Sequence, residues 1–315
     1  MVRSRTLGIG VSLAAFLSAG VAMAADPESC KAVRFSDVGW TDITATTATA
    51  SVVLEALGYA PTVEILSVPV TYTSLSAKNI DVFLGNWMPT MEADIKPYLE
   101  DKSVEDIKTN LEGAKYTLAV PKYTYDAGLQ SFADIAKFKD KLGNKIYGIE
   151  AGNDGNRLIL DMIAANQFDL GGFELVESSE AGMLSAVQKA VPNKEDVVFL
   201  GWEPHPMNAN IEMAYLSGGD DVFGPNYGGA TVHTNVRAGY VTECPNVGKF
   251  VSNLTFTLKM ENEIMGAILN DGADPKAAAA AWLKANPDTV TPWLDGVTTF
   301  DGGDAAAAVK TALGG

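Results

Sequence analysis

The chain has 315 residues, 47 % hydrophobic and 20 % charged, with 30 glycines; this globular composition is long enough for two cores and excludes disorder, collagen and coiled coil. With 23 basic against 39 acidic side chains the formal net charge is −16, which leaves no positive field for a phosphate backbone or an anionic lipid surface and argues against nucleic acid as a partner. A charge of this size also serves solubility, so it carries little weight for a cationic ligand.

Residues 1–24 read as a signal peptide. Arg3 and Arg5 precede an apolar stretch from Leu7 to Val21, and Ala22-Met23-Ala24 is a small-residue cleavage pattern. The stretch falls short of the roughly 20 residues a membrane anchor needs, and no later run is as long, so an exported chain without stable membrane insertion is expected. Cys30 and Cys244 are the two cysteines. In an oxidising compartment their default state is one disulfide, which would place the start of the exported chain and the region near residue 244 in the same lobe.

Strands are expected at 32–35, 63–66, 81–84, 116–120, 145–149 and 197–200, where short apolar runs rich in Val, Ile and Phe occur. Helical spacing occupies 42–58, 91–109, 155–166 and 181–190. The tail 246–286 reads as mostly helix, with Asp274 as a cap, Pro275 in a first turn and Pro287 as a stop. Strand alternating with helix implies an α/β fold of mostly parallel sheets flanked by helices.

One device occurs twice. Val82-Phe83-Leu84-Gly85-Asn86-Trp87-Met88-Pro89 and Val198-Phe199-Leu200-Gly201-Trp202-Glu203-Pro204 each give a buried strand, a glycine turn, a tryptophan and a proline. Each sets a Trp just past the carboxyl end of a strand, the edge at which open α/β sheets bind ligands. The repetition implies two similar lobes facing one another across a cleft. The chain is expected to cross between them near Gly113 and near 213–220, giving lobe I from 25–113, lobe II from 114–213 and a return to lobe I over 214–315.

Catalytic signatures are lacking. His205 and His233 are the two histidines; there is no H-E-x-x-H, G-x-S-x-G, P-loop or metal-ligand spacing, and neither a cofactor nor a metal is expected. Among five tryptophans, Trp282 and Trp293 read as packed core. Trp40, Trp87 and Trp202 each follow a strand in a glycine-flanked turn, and their convergence would make an aromatic box. A quaternary ammonium has no N–H to donate, so π-faces are its natural recognition. A sugar, the competing ligand, would call for more polar side chains near the rings. At about 0.5–2 kcal/mol per face, a few faces leave micromolar binding in need of a polar anchor. Asp42 and Asn153 are candidates, each equally readable as a helix N-cap.

Val38-Gly39-Trp40-Thr41-Asp42, Leu84-Gly85-Asn86-Trp87-Met88-Pro89, Tyr147-Gly148-Ile149 leading into Gly152-Asn153, and Gly201-Trp202-Glu203-Pro204-His205-Pro206-Met207 together resemble the glycine betaine/choline/carnitine substrate-binding proteins of bacterial ABC importers. The resemblance spans the exported chain. It implies a two-lobed periplasmic binding protein with its ligand in the interlobe cleft, a membrane permease and its ATPase as partners, and no enzymatic activity. By the same resemblance Trp40 and Trp87 of the first lobe and Tyr116 and Trp202 of the second form the box. Asp42 and Asn153 become partners for the hydroxyl end of choline, and Asp42 favours choline over a carboxylate-bearing betaine or carnitine. His205 either donates to a betaine carboxylate or braces the turn between Pro204 and Pro206, and bracing is the favoured expectation. A secreted hydrolase of choline esters or phosphocholine is the alternative from another class.

Overall fold

The alternating strand and helix signals resolve into nine strands in one continuous sheet, seen in a computed structural model that describes residues 26–314. The expected signal peptide lies outside the described residues. The strands are β1 (Ala32–Asp37), β2 (Ala60–Ile65), β3 (Val82–Met88), β4 (Val104–Pro121), β5 (Lys145–Tyr147), β6 (Glu174–Val176), β7 (Phe199–Glu203), β8 (Met213–Tyr215) and β9 (Gly229–Arg237). Their order is β2-β1-β3-β9-β4-β7-β5-β6, with β8 also paired to β4.

The two ends of this sheet are parallel, β2-β1-β3 and β6-β5-β7. Parallel neighbours need crossover connections. Helices Thr41–Ala56 and Val68–Ser76 supply them after β1 and β2, and Asp154–Ala164 and Glu180–Ala190 after β5 and β6. The centre is antiparallel and hangs on β4. From Val104 to Lys115 it pairs with β9; from Lys115 to Ala119 it pairs with β7, and its last residues pair with β8. β4 thus changes neighbours at Lys115, and the two ends of the sheet join through it and β9.

The helix expected over 91–109 stops at Glu100. Asp101 accepts the Ser103 N–H at 2.9 Å in a tight turn, Lys102 takes φ +62°, and β4 begins at Val104. Residues 104–114 carry a mixed polar pattern, and their pairing with β9, a partner more than 100 residues away, makes them strand. The glycine turns expected in the repeated device are not turns. Gly85 and Trp87 lie inside β3, and Gly201 and Trp202 inside β7. At Gly85 the strand shifts register and presses on the Thr41–Ala56 helix, where a Cβ would come within 2.7 Å of the Ile43 side chain.

In the tail the helices are Pro245–Asn253, Leu258–Leu269 and Pro275–Ala285. Asp274 caps the last by accepting the Ala277 N–H at 3.0 Å. Trp293 is buried, whereas Trp282 is half-buried with its indole N–H on Glu263. Cys30 and Cys244 are joined, with Cα atoms 5.6 Å apart.

Candidate functional site

The Thr41–Ala56 helix begins directly after Trp40, which has extended backbone and offers no side-chain cap. The exposed donors of its first turn are satisfied from far along the chain. Glu180, at the start of its own helix, accepts the Thr41 N–H at 2.8 Å and the Thr41 hydroxyl at 2.5 Å. Asp42 therefore sits inside the first turn and is not the cap. One of its oxygens accepts the Trp87 indole N–H at 3.1 Å, and the other, Oδ1, has no partner.

On the other side, the loop after β5 enters the Asp154–Ala164 helix through Asn153. Asn153 caps the helix, accepting the Asn156 N–H at 3.0 Å, and it also faces the cavity described below. The same oxygen accepts the Tyr116 hydroxyl at 3.0 Å, and its amide donates to Asp154 Oδ1 at 3.0 Å. Gly155 is what lets Tyr116 reach so far, since a Cβ there would lie 2.1 Å from the phenol oxygen. Tyr116 and Trp202 are register partners across β4 and β7.

These side chains enclose one cavity. Trp40, Asp42, Trp87, Tyr116, Ile149, Asn153, Asp154 and Trp202 line about 250 Å³ of space free of protein atoms. All six residues expected from the sequence are among them, and none of the six is more than 5 % exposed. The aromatic rings meet at angles, not face to face: Trp87 and Tyr116 at 6.0 Å and 60°, Tyr116 and Trp202 at 6.3 Å and 82°. Angled faces around a hollow present several negative π-clouds to one point, as an organic cation requires.

Burial sets the electrostatics. It pushes the Asp42 carboxyl up to about 8, helped by the charge of Glu180 and tempered by the Trp87 hydrogen bond. Asp154 is pushed up to about 7 by burial, tempered by the nearby Thr90 hydroxyl. Burial also raises Tyr116, which stays a neutral phenol. A positive charge in the cavity would favour the ionised form of both carboxyls.

His205 has no nitrogen to spare. Its Nδ1 accepts the Met207 N–H at 2.9 Å, and its Nε2 faces Glu180 at 3.1 Å. Glu150, which accepts the Trp40 indole N–H at 2.8 Å, and Glu180, Asp154 and Ile149 are the neighbours that sequence reading misses. Asp154 stands beside Asn153 in the same loop and could have been found there. Glu150 and Glu180 carry no local signal, because their partners lie 110 and 139 residues away.

Residues 31–285 match the family described as the substrate binding domain of ABC-type glycine betaine transport system. The chain is 70 % identical to a solved ABC-transporter choline binding protein in complex with choline, over 92 % of this chain and 100 % of that one, with a TM-score of 0.91. The same kind of protein in an unliganded semi-closed conformation, also 70 % identical, covers 91 % of this chain and 100 % of that one at 0.84. A glycine betaine/carnitine transport binding protein of Listeria monocytogenes is 34 % identical over 163 residues, 52 % of this chain and 53 % of that protein; the chain spans about half the length of that relative.

Proposed function

Because the chain belongs to the family of substrate-binding domains of ABC-type glycine betaine transport systems, we propose that it is a periplasmic receptor that captures choline and delivers it to a membrane permease driven by an ATPase. The observation that carries the reading is the buried cavity of four aromatic side chains with the carboxylate of Asp42 in its wall. Trp40, Trp87, Tyr116 and Trp202 receive the trimethylammonium group, while Asp42 and Asn153 take the hydroxyl end. The 70 % identical choline-bound protein supports the same ligand.

The two lobes close by bending at the two strands that join them. We place one crossing at Lys115, where β4 changes neighbours. The other falls between Gly224 and Gly229, later than the expected 213–220, because Met213–Tyr215 pairs with the second-lobe end of β4. The reading assigns no enzymatic role. His205 is held by Glu180 and the Met207 amide and His233 by Asp106 and Thr231, and neither histidine lines the cavity, so neither meets a molecule held there.

Titration of tryptophan fluorescence and calorimetry with choline, glycine betaine and carnitine test it. Choline should bind more tightly than the other two, and Trp202→Ala should weaken choline at least tenfold. Glycine betaine or carnitine binding more tightly would favour the second reading, a betaine or carnitine receptor, for which the Listeria relative speaks.

A further inference from the structure

Asp154 is the polar group of the cavity wall to which the proposed function gives no task. It opens the Asp154–Ala164 helix, where an acid is favourable for the helix dipole, but such an acid normally keeps its hydration at the surface. Here the residue is fully buried. Its Oδ1 accepts from Asn153, and its Oδ2 has no well-formed hydrogen bond, since the nearby Thr90 hydroxyl donates to the Trp87 carbonyl at 3.2 Å. Leaving a carboxyl oxygen dry and unpaired costs free energy unless something arrives to meet it.

What surrounds it narrows what that can be. Most of the wall's donors are engaged with protein acceptors: the Trp87 indole with Asp42, the Trp40 indole with Glu150, the Tyr116 hydroxyl with Asn153 Oδ1 and the Asn153 amide with Asp154 Oδ1, which leaves the Trp202 indole as the ring N–H of the wall without a protein acceptor among the described residues. The unpartnered side-chain oxygens in the wall are Asp42 Oδ1 and Asp154 Oδ2. The two helix N-termini beside the cavity, ordinarily anion sites, are occupied by the protein's own groups: Glu180 on Thr41, and Asn153 on Asn156.

We infer that Asp154 is a specificity-determining residue whose free oxygen, together with that of Asp42, gives the cavity two acceptors from two different helices, so that it admits a cation bearing a hydroxyl and turns away a zwitterion bearing a carboxylate. The inference rests on the proposed function and extends it: Asp42 alone could be avoided by a ligand turned end for end, whereas two carboxyls on two helices, ionised once the cation is bound, oppose a carboxylate in either orientation.

Asp154→Asn tests it. The side-chain oxygen can still accept from Asn153, while the amide replaces the unpartnered acceptor with a donor. Calorimetry with choline and with glycine betaine on the wild type and the variant should show the ratio of the two dissociation constants moving at least tenfold toward betaine, with betaine itself bound no more weakly than before. A ratio that moves less than tenfold overturns the inference and leaves Asp154 a helix-start acid. Asp154→Ser, read by the same ratio and threshold, serves if thermal melting shows that the asparagine variant is unfolded. A wild type that fails to prefer choline overturns the proposed function itself, a result distinct from an unchanged ratio in the variant.

Discussion

At Asp42 burial and ligand charge act in opposite directions, and the balance can be measured. Burial holds its carboxyl at about 8, so between the ordinary carboxylate range and pH 8 the folded protein keeps a proton that the unfolded chain has released. The sign follows from linkage: ionisation at Asp42 works against stability as pH rises through that window, and a cation that prefers the carboxylate expels the proton on binding. Glu180 and Glu261 face Asp42 with like charge, and Asp94 and Arg157 act in opposite senses on Asp154. Choline affinity should therefore fall as pH drops from 8 to 6, by up to about tenfold per unit for one proton released. Calorimetry at pH 7 in buffers of different ionisation heat should register that release; a flat profile with no proton release would contradict the buried-carboxylate account. The tryptophans and Asp42 were legible as chemistry because a Trp beside Gly at a strand end is unusual, but Tyr116 needed the family resemblance. As one of ten tyrosines, it is distinguished by its pairing with Trp202 and its fit over Gly155, which are facts of folding and not of local pattern.

Among the elements, the Glu180–Ala190 helix has the widest reach. Its first residue binds Thr41 on the far side of the cavity and His205 on its own side, so one carboxylate ties the wall together. Hydrogen bonds to charged groups contribute about 1.5–3 kcal/mol each, and Thr41 keeps its place only when the two sides meet. Glu180→Ala should lower the melting temperature, because buried Thr41 and His205 lose their partner, and should weaken choline at least tenfold, chiefly through faster release in stopped-flow fluorescence. Equal affinity in the variant would show that the ligand alone holds the sides together. Three crossover helices, at 41–56, 154–164 and 180–190, were readable from their helical spacing, whereas Val68–Ser76, a short helix with Pro69 in its first turn, was not. β9 was readable in principle, since Ala230, Val232, Thr234 and Val236 alternate into the interior, but Thr, His and Asn between them break the apolar run that marks a strand. The polar stretch that opens β4 gives no such sign, and only its pairing with β9 makes it strand.

For the whole molecule, the disulfide fastens the first described turn, Glu28–Cys30, to Cys244 far along the chain. Asp26 adds to that closure by accepting the Asn246 and Val247 amides at 2.7 and 2.8 Å. Cys30 and Cys244 are 214 residues apart, and in the chain-entropy model a loop of that length is worth about 5 kcal/mol. Cys30→Ser with Cys244→Ser should lower the melting temperature markedly while leaving choline affinity within about threefold, because the bridge lies in one lobe and away from the cavity. A loss of binding at temperatures where the variant remains folded would show that the bridge also shapes the site. The pairing of the cysteines could be argued from compartment and count; Gly218 and Gly219, which look like a boundary, lead into a short helix whose Phe223 packs against Phe132.

The near-complete burial of the box has a kinetic consequence. With every ring and carboxyl around the cavity at most 5 % exposed, a molecule inside has no path to bulk water while the two sides are together. Its residence time is then bounded by how often the protein opens, whatever the strength of the individual contacts. A transporter that pries the lobes apart would shorten that wait without weakening a single interaction within the box, so retention in transit and prompt release at the membrane can belong to one and the same site.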